Sequence, residues 1–503
     1  MALTGNETLE VRGQLANGAP SGETFQTSTR EIAGAVGARI PVTRPTNGNF
    51  DTTTFAKYFP FSAWRTVSGT VQTNFDWGKW APNSAFYASN AATYYVSTTG
   101  NDSNTGASWA QAFLSINKAI AVGNAAAVPY LVYIAAGTYQ FYFSFGDASG
   151  ATVPSQSCAF IAKGGRVVST MSVPDFQTTW GLDTGTTYKV TGSLIGGPTK
   201  MQRVVALDLL DQYGDYTEWQ YVATPALCRT TLGSWSVDGT TIYVNRSDGA
   251  ACTTANTRMF YNSQNGPAST TSGNMYCEGI DFEGGNLAVM TCQSNVNGRM
   301  VFNNCSFKWS SNLTASSDNT VVAYNVDGVA LINCTLARGQ NDGLASHVQS
   351  AKTAFIIQIN GCTHHMGSPY AKGIGGVSTS CNAITTHDSG RSVSINSVMH
   401  HCAGGTSAHV LGAQHWSVGD YCYSSAGDLA QGGSAPPSDW FSDQNTPTNT
   451  AVWVDGGASY SGDNTTANPY YFTYTDNIGG AGANVFYRNC SFNGRIGNNS
   501  TEY

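Results

Sequence analysis

All eight histidines of this chain lie between positions 347 and 415, although the chain has 503 residues. Histidine is the side chain whose ordinary pKa lies near neutral pH, so such a cluster can supply general bases or metal ligands. Four of the eight stand alone in the sequence, and His347, His387 and His409 are the three that we take as site candidates. We predict that these three contribute to a functional site.

Carboxylates are scarce in the same part of the chain, and two of them lie close to the isolated histidines. Hydrolysis of a glycosidic bond needs two carboxyl groups, about 5 Å apart for retention or about 6.5–9.5 Å apart for inversion. Asp342 and Asp388 are the predicted pair, with burial keeping one of them protonated. The Asp342-Gly343 pair is also typical of a turn, and Asp388 of a turn cap, so both interpretations stay open.

Elimination from a uronate would use different groups. A base removes the proton beside the carboxylate, and a cation neutralises that carboxylate. His347 or His387 could be the base, with Lys352, Lys372 or Arg391 as the cation. Because Lys and Arg are few in this region, a strongly anionic polymer is disfavoured, and hydrolysis is preferred to elimination.

These side chains precede a repeated motif by comparable distances, so we expect them in equivalent loops on one face. The predicted groove is lined by Asp318, Asp342, His347, His387, Asp388 and His409. Aromatic side chains nearby could stack on sugar rings, with ordinary strand packing as the alternative. They are Tyr324, Tyr370, Trp416 and Tyr421.

The repeated motif is carried by cysteines. Cys277, Cys305, Cys334 and Cys362 recur after 28, 29 and 28 residues, usually with Asn or Asp just before them. Each copy alternates apolar and polar residues, as a strand with one buried face does. Further copies follow at Val398, Cys422, Gly456 and Cys490. We predict a β-solenoid in which thiols fill the interior and asparagines stack in a ladder that shares hydrogen bonds.

Two adjacent histidine pairs, His364–His365 and His400–His401, are 36 residues apart, which equals the local repeat. They are predicted to stack in neighbouring coils, with one member of each pair facing inward. Polar stacking at a corner is favoured over a zinc site, because zinc requires a defined tetrahedral geometry. We expect neither a metal nor another cofactor.

The beginning of the chain is organised differently. Residues 1–90 are small and polar, then rich in aromatics, which predicts an attachment and collar region. A strand at 94–97, a helix at 109–120 and a strand at 131–134 follow. The irregular stretch 163–265 is expected to be an insertion or side sheet, with a hairpin turning at Asp238-Gly239.

Composition excludes several classes of function. The net charge is −7 and no basic run is present, which disfavours nucleic-acid binding. Charged residues are 11% of the chain, so Ser, Thr, Asn and Gln must carry the polar surface, and that suits hydroxyl-rich ligands. We expect no secretory signal and no membrane insertion, because the N-terminus is polar and no long apolar stretch is present.

Several segments together resemble a known family. Residues 342–347, 386–390 and 414–419, in this order and with the coil motif, resemble the right-handed β-helix proteins of phage tail spikes. The Ala-Ala-Gly-Thr-Tyr stretch at 135–139 is similar to the entry of pectate-lyase-like β-helices. Residues 3–7 resemble segments that attach phage structural proteins to the virion.

The resemblance implies an all-β, right-handed parallel β-helix over 91–503, with an N-terminal capping helix and a virion-attachment region at 1–90. It also implies a homotrimer on the virion that contacts other virion proteins through residues 1–90. Such spikes bind, and often depolymerise, a host surface polysaccharide. Thirteen residues follow Cys490, so we expect this chain to lack the large C-terminal domain of many spikes. A non-enzymatic head fibre or capsid decoration is therefore the alternative.

Overall fold

The computed structural model describes residues 39–66, 69–81, 91–145, 153–192, 201–261, 269–270, 273–285, 288–294, 298–310, 319–324, 326–348, 354–367, 381–423, 438–443, 450–460, 471–476, 483–497 and 499–503. The predicted attachment segment before residue 39 lies outside these ranges. Asp318, Lys352, Tyr370 and Lys372 also lie outside them.

The main body is a right-handed parallel β-helix. Equivalent strands of successive coils pair in parallel and in register, which builds three sheets along the axis. Parallel crossover connections almost always take the right-handed form. The strands form because apolar and β-branched residues alternate with others over short runs, and the inner face of each strand packs in the interior of the β-helix.

The first sheet contains β16 Met275–Glu278, β19 Arg299–Asn303, β22 Gly328–Ile332, β25 Phe355–Ile359, β28 Arg391–Ile395, β31 Gln414–Val418, β34 Ala451–Asp455, β37 Asn484–Arg488 and β40 Ser500–Glu502. The second contains β17 Ile280–Gly285, β20 Ser306–Ser310, β23 Thr335–Ala337, β26 Cys362–His364, β29 Val398–His400, β32 Tyr421–Tyr423, β35 Ala458–Tyr460 and β38 Ser491–Phe492. The third contains β15 Ser269–Thr270, β18 Ala288–Ser294, β21 Asn319–Tyr324, β24 Leu344–His347, β27 Ile384–Thr386, β30 Ser407–Val410, β33 Ser438–Asp443, β36 Tyr471–Asp476 and β39 Arg495–Ile496.

A left-handed residue closes the corner between the first and second sheets in eight successive coils. Its φ lies between 50° and 73° in Gly279, Asn304, Asn333, Asn360, Asn396, Gly419, Gly456 and Asn489. Glycine and asparagine adopt this conformation at the least cost. The Asn360 side-chain amide donates to Asn333 Oδ1 at 3.1 Å, and that of Asn396 donates to Asn360 Oδ1 at 3.4 Å. The predicted asparagine ladder is confirmed.

The cysteines fill the interior, but their predicted register is wrong at several places, including Cys422, which pairs with Met399. Cys305 and Cys334 are equivalent, whereas Cys277 pairs with Phe302 and Cys362 pairs with Thr335. Cys277 lies before the corner and Cys305 after it, because the coil from Cys277 to its partner Phe302 is shorter than the 28 residues that separate the two cysteines. All twelve cysteines are free thiols and eleven are buried, as predicted.

The open end of the β-helix is covered by a helix that starts later than predicted. A 3-10 turn spans Trp109–Gln111, and helix α3 spans Ile116–Ala126. The Asp102 carboxylate accepts hydrogen bonds from the N–H groups of Leu114 and Ser115, and Ser115 Oγ caps the helix by accepting from Lys118 N–H. These side-chain acceptors end the preceding loop and set the first helical turn. The flanking strands are β4 Ala92–Val96, β5 Tyr130–Gln140 and β6 Cys158–Thr170.

A side unit, residues 173–261, is inserted between β6 and β16. Its elements are β7 Gly181–Thr184, β8 Thr187–Thr191, β9 Met201–Leu210, β10 Tyr216–Glu218, β11 Gln220–Tyr221, α4 Pro225–Thr230, β12 Ser234–Asp238, β13 Thr241–Asn245 and β14 Thr257–Tyr261. The predicted hairpin is confirmed, since Asp238 pairs with Thr241 across a two-residue turn. Gly239 takes a φ of 56° in that turn.

An N-terminal arm, residues 39–81, lies along the outer face of the first sheet. Its elements are β1 Ile40–Val42, α1 Thr52–Tyr58, β2 Ala63–Arg65, β3 Val71–Thr73 and α2 Trp77–Trp80. Phe55 and Tyr58 pack on Phe355, with ring centroids 5.4 and 5.1 Å apart. Trp77 stacks on Tyr276 near one end of the sheet. The predicted collar therefore packs on its own β-helix, where it covers apolar residues that would otherwise face water.

Candidate functional site

Three aromatic side chains form one row on the outer face of the third sheet. Tyr324 pairs with His347, and the register of the next two strands places His387 beside His347. The Tyr324 and His347 ring centroids are 5.2 Å apart, and those of His347 and His387 are 4.4 Å apart. The rings are inclined by 20° and 16°. We name Tyr324, His347, His387 and Asp388 the ledge.

The ledge arises because its three rings occupy equivalent positions at the ends of neighbouring strands. Tyr324 and His347 are the last residues of β21 and β24, and His387 directly follows β27. Asp388 then turns the chain with a φ of 54°, a conformation that Asp adopts more readily than most residues. The turn brings the carboxylate back toward the row of rings.

The electrostatics of the ledge keep its histidines uncharged at neutral pH. His347 Nδ1 lies 4.0 Å from Asp388 Oδ2, with 24% and 37% of the two side chains exposed. Burial lowers the pKa of His347, and the Asp388 carboxylate offsets part of that shift. Burial and the neighbouring His347 lower the pKa of His387 to about 4. The ledge therefore presents neutral imidazoles and one partly exposed carboxylate.

The geometry of the row decides what kind of contact it can make. Stacked rings cover each other's faces, so the middle ring offers its edge rather than its face to a ligand. A phenol and two neutral imidazoles both donate and accept hydrogen bonds. Neighbouring rows in a parallel sheet are about 4.8 Å apart. Such an edge suits a regular series of hydroxyl groups.

Asp342 does not belong to this surface, so the predicted open pair of Asp342 and Asp388 is wrong. Asp342 is 4% exposed. Its Oδ1 accepts hydrogen bonds from the backbone and side-chain N–H groups of Asn382, at 2.9 and 3.2 Å. Its carbonyl oxygen accepts from Thr320 N–H at 2.6 Å. Burial raises the pKa of Asp342 to about 6, but the group links neighbouring coils instead of facing solvent.

His409 also lies apart from the ledge, because the prediction was one residue out of register. The strand pairing puts His409 beside Thr386, so Val410 follows His387 in the outer row. A shift of one residue moves a side chain to the opposite face of a sheet. His409 is buried in the interior, where it stacks on His415 and its Nε2 lies 2.6 Å from Ser407 Oγ.

The predicted sugar contact at Trp416 is likewise wrong. Trp416 is 1% exposed and lies under the arm, with its ring 6.3 Å from Phe50 and 6.4 Å from Phe59. The first sheet directs Trp416 outward, and the arm covers that face. Tyr421 lies on the second sheet. Asp318, the sixth predicted groove residue, is outside the described residues.

The paired histidines stack as predicted. The His364 and His400 rings are 5.0 Å apart, and those of His365 and His401 are 4.9 Å apart. The side unit adds Tyr213, whose hydroxyl lies 3.1 Å from His401 Nε2. Among the described residues no cluster of His, Cys, Asp or Glu has the arrangement of a metal site.

The same corner holds a carboxylate that sequence reasoning missed. Asp215 of the side unit lies 3.6 Å from His364 Nδ1 and binds Lys308 and Arg338. Burial alone would raise the pKa of Asp215, but Lys308, His364 and Arg338 hold it below its usual range. Nothing in the repeat points to Asp215, because it belongs to the insertion. This corner therefore fastens the side unit to the β-helix.

The chain matches no protein-family model and no curated protein. Among solved structures it is similar to one described as a glycoside hydrolase, with 10% identity, 82% of this chain and 95% of that chain covered, and a TM-score of 0.54. It is also similar to XylC in complex with xylose, with 12% identity, coverage of 80% and 70%, and a TM-score of 0.50.

A more distant likeness is to the tail-spike protein gp49 of Pseudomonas phage LKA1, with 12% identity, coverage of 77% and 71%, and a TM-score of 0.27. None of the described helices is both long and apolar enough to cross a lipid bilayer. The strand pairing and the two likenesses with TM-scores of 0.54 and 0.50 agree on the architecture. The chain has a right-handed parallel β-helix fold.

Proposed function

We propose that this chain is a phage tail-spike protein that binds a host surface polysaccharide along the ledge. The observation that carries the proposal is the in-register row of Tyr324, His347 and His387, with Asp388 beside it. The edges of these rings offer donors and acceptors at the spacing of the coils, which matches an elongated polymer of hydroxyl-bearing units. The resemblance to tail spikes supports the virion setting.

The polymer is proposed to be neutral or weakly charged. Both ledge histidines are uncharged at neutral pH, and Asp388 adds a negative charge. The guanidinium of Arg391 is bound to Asp51 and to three carbonyl groups. The ledge therefore lacks a described cation that is available to neutralise a uronate, which disfavours elimination.

If the protein cleaves its ligand, Asp388 is the carboxylate that we propose for proton transfer, with His347 beside it. Hydrolysis of a glycosidic bond requires a second carboxyl group. Asp342 does not supply it, because Asp342 is enclosed between coils. Asp318 stays a predicted substrate-binding residue of the groove. Binding and cleavage are thus separate parts of the proposal and are tested separately.

Binding is tested with purified bacterial surface polysaccharides, both neutral and uronate-containing, by calorimetry on the full chain. Tyr324→Ala and His387→Ala should each weaken binding about tenfold, because each removes one edge of the row. Tyr460→Ala is the matched control, since Tyr460 is an exposed ring on the second sheet. Equal affinity in all four proteins would refute the ledge as the binding site.

Cleavage is followed in the same samples through chain length, new reducing ends and unsaturated uronates. New reducing ends without unsaturation, lost in Asp388→Asn, would establish hydrolysis at the ledge. Unsaturated products would contradict the neutral-substrate proposal. Intact polymer with normal binding would identify a glycan-binding virion protein without catalysis. Absence of binding to every polymer would favour the alternative, a structural head fibre or decoration.

The trimer and the contact with other virion proteins through residues 1–90 are further parts of this proposal. The resemblance to tail spikes implies that this chain forms a homotrimer. Sedimentation equilibrium of the full chain gives the mass directly, and the chain mass is 53.1 kDa. A trimer mass would support the spike assignment, and a monomer mass would contradict it.

A further inference from the structure

The turn that carries Asp388 is part of a double turn shared by two coils. Asp388 and Ser389 have φ values of 54° and 62°. In the next coil Leu411 and Gly412 occupy the equivalent positions, with φ values of 59° and 84°. Left-handed backbone is costly for residues other than glycine, so three of these four positions need support from outside the turn.

Arg391 supplies that support. Its Nη1 donates to the carbonyl oxygens of Ser389, Gly390 and Gly412, at 2.6, 3.0 and 3.1 Å. One guanidinium thus joins the turn that bears Asp388 to the turn of the following coil. The planar guanidinium directs several donors from a fixed position, which the flexible ammonium of lysine does not reproduce.

The arm holds Arg391 in turn. Arg391 Nε donates to Asp51 Oδ2 at 3.2 Å, and 14% and 28% of the two side chains are exposed. The backbone around Asp51 is fixed on the same strand edge, because Asp51 N–H donates to Gln414 Oε1 at 2.9 Å. The Gln414 amide donates to the carbonyl oxygen of Asn49 at 3.0 Å. Asp51 is therefore placed independently of Arg391.

We propose that Asp51 and Arg391 are positioning residues that hold the Asp388 carboxylate against His347, so that the arm completes the ledge. This inference rests on the proposed function for its biological meaning, but its geometry can be tested without any ligand. The contact to measure is that between Asp388 and His347, whose atoms are 4.0 Å apart. The carboxylate raises the proton affinity of His347, so displacing it changes how His347 titrates.

The test uses the full chain and histidine NMR titrations, with the His347 signal assigned by loss in His347→Gln. Arg391→Gln and Asp51→Asn should both lower the pKa of His347, and Arg391→Lys should restore it only in part. Arg65→Gln is the matched control, because Arg65 also joins the arm to a coil, through Asp455. It should leave the His347 titration unchanged.

Binding provides a second measurement. Arg391→Gln and Asp51→Asn should weaken polysaccharide binding about fivefold to tenfold, and Arg65→Gln should not. An unchanged His347 titration in folded Asp51→Asn and Arg391→Gln would overturn the positioning role, even if the ledge binds sugar. Conversely, the His347 titration could shift in both variants while Tyr324→Ala binds polysaccharide with unchanged affinity. That result would support the positioning role and refute the proposed function.

Discussion

Two regions of the same β-helix differ in the polarity of the side chains that line their interiors. In the early coils, residues 275–337, the inward side chains of the first and second sheets include Phe302, Leu331 and Phe307. In the later coils, residues 391–423, the inward side chains of the first sheet are Ser392, Ser394, His415 and Ser417, all buried. Apolar packing fills the first region, whereas in the second region hydrogen-bonded side chains of the first sheet lie beside the apolar Met399 and Cys422 of the second sheet.

The later coils place their apolar residues outside. Val393, Ile395, Trp416 and Val418 face outward and belong to the cluster under the arm. Inside, Ser392 Oγ lies 2.8 Å from His415 Nδ1 and Ser394 Oγ lies 3.0 Å from His415 Nε2. Alternation alone therefore does not tell which face of a strand is the interior. The first-sheet strands of the later coils bury their apolar side chains against the arm, whereas those of the early coils also bury Phe302 and Leu331 in the interior.

The largest expected effect comes from emptying the early interior. Phe302→Ala should lower the free energy of unfolding by about 3–5 kcal/mol, because the ring is fully buried between Phe282 and Phe307 and leaves a cavity. Chemical denaturation gives the value. A loss below about 1 kcal/mol would show that the early interior is loosely packed. It would contradict the proposed difference between the interiors of the early and later coils.

A slightly smaller loss is expected from the arm. Phe55→Ala should cost about 3 kcal/mol, at the low end for a buried phenylalanine, because the arm lies at the surface of the body and can adjust. Hydrogen exchange should increase in β25, which the Phe55 ring contacts through Phe355, and in the neighbouring β28 and β31. Equal increases in β19 would contradict the dependence of the later coils on the arm.

A still smaller change separates the two kinds of interior. Ser394→Ala should cost about 1–3 kcal/mol, because Ser394 Oγ contacts both His415 and the Asp420 carboxylate. The reciprocal change, Val329→Thr, places a hydroxyl group in the apolar interior of an early coil and should cost a similar amount. Thermal unfolding of both proteins checks this, and a neutral Ser394→Ala would mean that the polar interior is not tightly organised.

The smallest effect is a dependence on pH, and it should begin in the later coils. Burial lowers the pKa of His415 to about 3, below the ordinary value near 6.5, so His415 contributes stability above pH 6.5 that is lost as the pH falls toward 3. Burial raises the pKa of Asp420 to about 6, so Asp420 contributes stability below pH 3.8 that is lost as the pH rises through 6. The two groups oppose each other between these limits.

Asp420→Asn removes the opposing group and should steepen the loss of stability between pH 6 and pH 4, by at most about 1.4 kcal/mol per pH unit. His415→Gln should flatten it. Melting temperatures across this range give both slopes. Because no histidine precedes residue 347, hydrogen exchange at acid pH should increase first in the later coils. A uniform increase along the axis would contradict this.

Much of the architecture was predictable, because it depends on features that recur. The left-handed corner of asparagine or glycine returns in eight successive coils, buried thiols recur along the interior, and the paired histidines follow the local repeat. The register was less predictable, because Cys277 and Cys305 lie on opposite sides of a corner while their spacing matches the repeat. Because the coils differ in length, the number of residues between two cysteines does not reveal such shifts.

The candidate site was also predictable only in part. Tyr324, His347 and His387 form one row because they end equivalent strands, which the spacing indicated. Three predicted residues do not belong to the row. His409 lies on the inner face because the register differs by one residue, Trp416 is covered by the arm, and Asp342 is buried between coils. Asp51 carries no signal in the repeat, because it reaches the site from the arm.

The course of the arm has a mechanical consequence. Asn47 Oδ1 accepts from the Trp453 indole at 3.2 Å, and Trp77 stacks on Tyr276, so the arm runs from the late coils back to the early ones. Hydrogen bonds between parallel strands point along the axis, and an axial pull would load them one coil after another. The arm contacts coils along the length of the β-helix, so part of an axial force would act on the arm instead of on the hydrogen bonds between coils.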